Sequence, residues 1–141
     1  MDGPGARTGG CLCGEVSYRI TGPMRDIIAC HCSQCRRTTG HYLAATAVRT
    51  KYFQLTRETG LRWRRASDTA RRGFCCNCGS TLLWEPDSGT HISISAGTLD
   101  NTEGLKLVAH IFAGDKGSYY ELEDGVQVHE GTSQGAVPLP D

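Results

Sequence analysis

The hexapeptide Cys30-His31-Cys32-Ser33-Gln34-Cys35 places three thiols within six residues and is followed at once by Arg36 and Arg37. Thiolates are preferred ligands of zinc, so the chemistry this spacing offers first is metal coordination. Two further clusters, Cys11-Leu12-Cys13 and Cys75-Cys76-Asn77-Cys78, bring the total to eight cysteines, which divide most simply as four, three and one. Cys75 and Cys78 form a C-x-x-C backed by Gly79, and Cys11 and Cys13 form a C-x-C between Gly10 and Gly14. Each pair can aim two sulfurs at one ion and lacks an obvious second pair of its own. Together they predict a closed four-thiolate zinc site that staples the start of the chain to its middle.

The middle cluster then keeps Cys30, Cys32 and Cys35 and is one ligand short. Spacing leaves two outcomes open. An ion with three protein ligands and a free position is the arrangement of a catalytic or ligand-binding zinc. Alternatively Cys76, His31 or His41 closes a second structural site. Cys76 adjoins Cys75, and neighbouring side chains of extended backbone point apart, so its thiol faces the second site or is simply a small buried residue. His31, set between two ligands, is expected to turn its ring away from the ion, toward a sulfur-bound group or a main-chain carbonyl. Arg36 and Arg37 supply local positive charge that favours thiolates and suits capture of a carboxylate, with a solvated basic turn as the plain alternative.

The elements that must hold these residues read as β-strands. Val16, Tyr18 and Ile20 alternate with polar residues in EVSYRIT, and Ile92, Ile94 and Ala96 do so in HISISAGTL, the period-two pattern of a half-buried strand. Further strands are predicted at LAATAVR, FQLTR, LRWRR, STLLWE, LKLVAHIF and YYELEDG, with turns at Thr59-Gly60, Asp87-Ser88-Gly89 and Gly114-Asp115. One short helix is expected near Ser33, with Ser33 as its cap. The prediction is an all-β domain with several short antiparallel strands over residues 9–131, between a flexible N-terminus at 1–8 and a flexible tail at 132–141.

Composition narrows the function classes. Fifteen basic and fifteen acidic residues leave a formal net charge of zero, which gives no whole-protein field to attract nucleic acid or an anionic membrane. Arg62, Arg64, Arg65, Arg71 and Arg72, with Trp63 and Phe74 among them, are a weak nucleic-acid signal that reads better as one polar strand face. No run of 18 apolar residues and no apolar signal-peptide core is present, so a cytoplasmic location is expected, where eight cysteines point to metal or thiol chemistry rather than disulfides.

Taken together, GGCLCGEVSYRITGP, CHCSQCRRTTG, RRGFCCNCGS, SAGTLDN and HIFAGDKGSYYELEDGV resemble, in order and over nearly the whole chain, the glutathione-dependent formaldehyde-activating family, whose domain is shared with centromere protein V. The resemblance implies a zinc-stapled β-tent fold and two zinc ions per chain. One is structural, on Cys11, Cys13, Cys75 and Cys78; the other is catalytic, on Cys30, Cys32 and Cys35, and with three protein ligands it is expected to be held less firmly than the first. It implies a carbon–sulfur lyase reaction in which glutathione and formaldehyde, or a related small aldehyde, condense to an S-hydroxymethyl adduct. The partner is then glutathione or another small thiol adduct, with a homodimer left open. A non-catalytic two-zinc interaction module, as in the chromatin-linked relatives, is the alternative.

The expected proton donors to the developing alkoxide are His31, Lys116 and Tyr119, with His110 as a strand residue facing solvent or a turn; Arg36 and Arg37 are expected to hold a glutathione carboxylate. Three departures from the family pattern bear on the substrate pocket: Cys76, Tyr119 where tryptophan is usual, and a C-terminal DGVQVHEG without proline.

Overall fold

In a computed structural model the protein is described over residues 6–123 and 125–141. Among these residues eleven strands form: β1 (Arg7–Gly10), β2 (Val16–Ile20), β3 (Ile27–Cys30), β4 (Leu43–Arg49), β5 (Phe53–Glu58), β6 (Leu61–Arg65), β7 (Ala70–Cys75), β8 (Thr81–Pro86), β9 (His91–Ser95), β10 (Leu107–Ile111) and β11 (Gln127–Val128). Among the described residues a single α-helix, α1 (Ser33–Thr39), interrupts them, with short 3₁₀ turns at Thr50–Tyr52, Ala96–Thr98 and Ala113–Asp115. Among the described residues, no helix is long and apolar enough to cross a membrane.

The strands make a small sheet in the order β1-β2-β5 and a large one in the order β11-β10-β3-β4-β9-β8-β7-β6. All pairings are antiparallel except β10 with β3 and β10 with β11, which are parallel. The parallel pair exists because β10 returns late in the chain to the free edge of β3, and a crossover of that length sets no antiparallel constraint.

Alternation decides which face of each strand is buried. Val16, Tyr18 and Ile20 of β2 pack with Val48 of β4, Leu82 and Leu83 of β8, and Ile92 and Ile94 of β9 in one apolar core. The small sheet therefore covers one face of the large sheet. The odd positions of β9, His91 and Ser93, fall on the opposite face, together with Ala45 of β4 and Trp84 of β8, and this second face carries the cavity described below. Tyr18 is fully buried, and its hydroxyl shares a 2.7 Å hydrogen bond with Thr98 Oγ1, so no polar group is stranded by its burial.

Three expectations change. Strand β1 starts at Arg7, inside the segment expected to be loose, because its main chain pairs with β2 and Gly9 lies against the Tyr18 hydroxyl, where a Cβ would come within 2.3 Å. The predicted strand YYELEDG does not form: Tyr119 lies in a turn and residues 120–123 pair with no strand, while Asp124 lies outside the described residues. Side-chain bonds from Tyr119 and Tyr120 hold this segment in place of a ladder. Finally, Ser33 is the first residue of α1 rather than its cap. Cys32 is the N-cap, its sulfur accepting the Cys35 N–H at 3.3 Å.

Candidate metal centres and the adjoining cavity

The turn between β1 and β2 presents Cys11 and Cys13, and the turn between β7 and β8 presents Cys75 and Cys78. Gly14 at φ +85° and Gly79 at φ +80° close these turns in the left-handed region, where a side chain would be strained. The four sulfurs lie within 4.8 Å of one another. Cys11 and Cys13 are 3.6 Å apart, and Cys13 and Cys75 are 3.7 Å apart. A tetrahedral zinc with bonds of about 2.3 Å requires sulfur–sulfur edges of about 3.8 Å, so the donor set fits that ion. Main-chain and hydroxyl donors already favour the anionic form: the Val16 N–H reaches Cys11 Sγ at 3.2 Å. The Ser80 hydroxyl lies 3.2 Å from Cys78 Sγ and pulls that thiol down to about 5.

Gly60 presses on this centre. A Cβ there would meet Cys75 Sγ at 2.8 Å and the Glu15 side chain at 3.1 Å. Gly60→Ala is expected to destabilise the protein by about 1–3 kcal/mol and to weaken metal retention, measured by thermal unfolding and by metal release to a chelator. Unchanged unfolding and release would show that the centre has slack.

The second cluster is local. Cys30 ends β3, Cys32 caps α1 and Cys35 sits in its first turn, and their three sulfurs also lie within 4.8 Å of one another. Among the described residues no fourth thiol, histidine or carboxylate joins this group. Cys76 is exposed and belongs to neither group. Arg72 of β7 is buried against the cluster, its Nη2 donating to Cys35 Sγ at 3.2 Å and its Nε to Gln34 Oε1 at 2.8 Å. Gln34 in turn donates to the Ala66 carbonyl at 2.7 Å, which fixes the amide.

The thiols shift in opposite directions. Cys35 falls to about 5, first through its hydrogen bond with Cys30 and, against desolvation, through Arg72; Cys30 is pushed far up by that same bond and by burial. Without a cation the cluster holds one thiolate well and resists a second, so three thiolates together require a positive ion. The donor set fits a zinc bound through three cysteines.

His31 turns away from the cluster, as expected for a residue between two ligands, but into a buried network. Its Nε2 lies 2.8 Å from His110 Nδ1, and its Nδ1 lies 2.8 Å from the Tyr120 hydroxyl. Burial, then the charges of His110, His41 and Lys116, lower His31 to about 4, so the ring is neutral at pH 7 with both nitrogens engaged. His110, expected to face solvent or a turn, is buried instead. His41 bonds Tyr119, so neither His31 nor His41 completes the second centre. Lys116 Nζ donates to the carbonyls of Gly117 and Tyr120 and lies 4.4 Å above the Tyr120 ring.

Beside the three thiols opens a cavity of about 420 Å³ on the outer face of the large sheet. Cys30, Cys32 and Cys35 line it, with Ile28, Leu43 and Trp84 among its apolar walls. His31, Arg36, Arg37, Lys116 and Tyr119 are not among its lining residues. Arg36 and Arg37 occupy the last turn of α1, where positive charge complements the helix C-terminus. The cations that do line the cavity are Arg25 and Arg72.

Arg72 was legible only as part of a basic run. Its neighbours separate cleanly in the fold: Arg71 stacks on Trp63 at 3.8 Å and pairs with Glu85 at 2.7 Å, and Arg65 pairs with Asp87 at 2.5 Å. The signal for Arg72 was strand parity, but the register of β7 against β8 shifts between Gly73 and Phe74, which breaks any count made back from Cys75.

A search of the curated proteins finds no match. A crystal structure of a Rhodobacter sphaeroides protein shares the fold, with a TM-score of 0.55 and 24% identity, covering 69% of this chain and 91% of that one. The family profile described as glutathione-dependent formaldehyde-activating enzyme matches residues 6–115, a span that holds both cysteine clusters, Arg72 and most of the cavity wall. The chain therefore belongs to the glutathione-dependent formaldehyde-activating enzyme family.

Proposed function

We propose that the protein is a cytoplasmic zinc enzyme of the carbon–sulfur lyase type. It condenses glutathione, or a closely related thiol, with formaldehyde or another small aldehyde to an S-hydroxymethyl adduct. The observation that carries this reading is the contrast between the two centres: four thiols close one of them, whereas three thiols face a cavity of about 420 Å³ at the other. A zinc ion held by Cys30, Cys32 and Cys35 would supply a position at which an incoming thiol is held as thiolate at neutral pH.

The chain's own residues bind and orient. Arg72 keeps Cys35 ionised and fixes Gln34 at the mouth of α1. His31 acts as a positioning residue, tying the Cys30–Cys32 segment to β10 through His110 and to the 116–123 segment through Tyr120. The apolar walls exclude water from the thiol and so favour attack by sulfur over hydration of the aldehyde. In the reaction, a sulfur lone pair forms the C–S bond, the carbonyl π pair moves to oxygen, and the proton lost by the thiol is regained there. Lys116 and Tyr119 lie on the 116–123 segment outside the cavity lining, and Arg36 and Arg37 would guide an anionic thiol at the surface rather than hold it.

The test is formation of S-hydroxymethylglutathione by the zinc-loaded protein, followed by NMR exchange between free and adduct formaldehyde. An exchange rate well above the uncatalysed one is expected. No acceleration and no glutathione binding by fully metallated protein would dispose of the proposal.

A further inference from the structure

The cavity has a second charged end. Arg25, in the segment before β3, is held under β4 by main-chain carbonyls: Nε donates to Asp26 O at 3.1 Å and Nη2 to Ala45 O at 2.9 Å. Among the described residues its guanidinium pairs with no carboxylate, and Nη1 has no protein partner. Arg25 is half-buried, and that burial lowers its pKa to about 10 with no opposing carboxylate to raise it. No aspartate or glutamate lines the cavity among the described residues. His91, the other titratable group at this end, is lowered by burial and then by Arg25 and Arg49, so its ring favours the neutral form and leaves Arg25 as the charge at this end.

The two ends are set a short distance apart by the sheet. Ala45, whose carbonyl holds Arg25, pairs with Ile28, and Leu43 pairs with Cys30. Two residues of strand separate the levels of the guanidinium and the thiols, roughly 7 Å. Arg72 differs from Arg25 in that its charge already faces an anion, since Nη2 donates to Cys35 Sγ, whose thiol Arg72 helps to lower.

We propose that Arg25 is a carboxylate-binding subsite of this cavity, which selects thiols whose carboxylate lies a short spacer from sulfur. This rests on the reading of the three-thiol centre as the place where the thiol binds. A guanidinium that meets a carboxylate in a partly desolvated site forms a charge-assisted pair, whereas a neutral ester or hydroxyl leaves the half-buried cation unpaired. Small thiols without a carboxylate, such as 2-mercaptoethanol, are therefore poor ligands even though their sulfur is equivalent.

Four probes separate the parts in titration calorimetry with zinc-loaded protein: glutathione, its diethyl ester, S-methylglutathione and 2-mercaptoethanol. They are measured with the unaltered protein and with Arg25→Met and Arg25→Lys, the lysine keeping the charge in case the methionine variant fails to fold. Glutathione and S-methylglutathione are expected to lose about 10- to 100-fold in affinity in Arg25→Met and less in Arg25→Lys, while the ester and 2-mercaptoethanol are unchanged. Equal losses for acid and ester, or an acid-over-ester preference that survives both substitutions, would overturn the subsite while leaving thiol binding intact. Arg25-dependent binding of S-methylglutathione as tight as that of glutathione would keep the subsite and refute the thiol-binding centre. Binding of none of the four would refute both.

Discussion

Cys78→Ser is expected to abolish cooperative folding, seen as loss of near-ultraviolet dichroism and of a sharp thermal transition, with the metal of the four-thiol centre lost as well. Cys78 is the informative position because it is only half-buried, whereas Cys75 is fully buried in the apolar core and its loss would also disturb packing. The centre joins turns whose cysteines, Cys13 and Cys75, are 62 residues apart in the chain. Structural zinc sites contribute on the order of 10 kcal/mol, comparable with the whole stability of about 5–15 kcal/mol of an ordinary domain. A serine hydroxyl at Cys78 replaces a thiolate with a weak neutral ligand, so most of that contribution is lost. A Cys78→Ser protein that melts sharply within a few degrees of the unaltered protein would show that packing alone sustains the fold.

Cys35→Ser is expected to behave in the opposite way: a folded protein that melts within a few degrees of the unaltered one, binds one fewer zinc and forms S-hydroxymethylglutathione at least about 100-fold more slowly. The reason is topological. Cys30, Cys32 and Cys35 lie within six residues, already fixed by β3 and α1, so an ion there closes almost no loop. Chain-closure entropy scales with the logarithm of loop length, and the difference between the two loops is about 2 kcal/mol in favour of the long one. The side chain of Arg72 would be left facing a hydroxyl instead of a thiolate, which weakens one hydrogen bond without burying a bare cation next to apolar groups alone. If Cys35→Ser unfolded as Cys78→Ser is expected to, the division of the cysteines into a structural and a functional centre would fail.

Legibility differed from element to element. Strands β2, β4, β5, β6, β8, β9 and β10 were readable because an alternating pattern needs only one covered face. IIAC and ARRGFC were not read as strands: the first is a short apolar run abutting a cysteine cluster, and the second opens with two consecutive arginines and is bulged between Gly73 and Phe74. YYELEDG alternates aromatic and acidic residues like a strand, yet Tyr120 is committed to His31 and no neighbouring strand offers a ladder. His110 looked like any exposed strand polar residue. Only the arrival of β10 beside β3 buries it against His31.

By itself the sequence determined the class of fold, the family and the two groups of cysteines, because hydrophobic period and ligand spacing are local properties that survive without knowledge of contacts. The tertiary structure decided which charges serve the cavity. Arg36 and Arg37, adjacent to Cys35 in sequence, point from the end of α1, while Arg72 and Arg25 are brought to the thiols from β7 and from the segment before β3. A sheet of eight strands places residues side by side according to register rather than chain order, and a charge acts through the few ångströms it lies from its target.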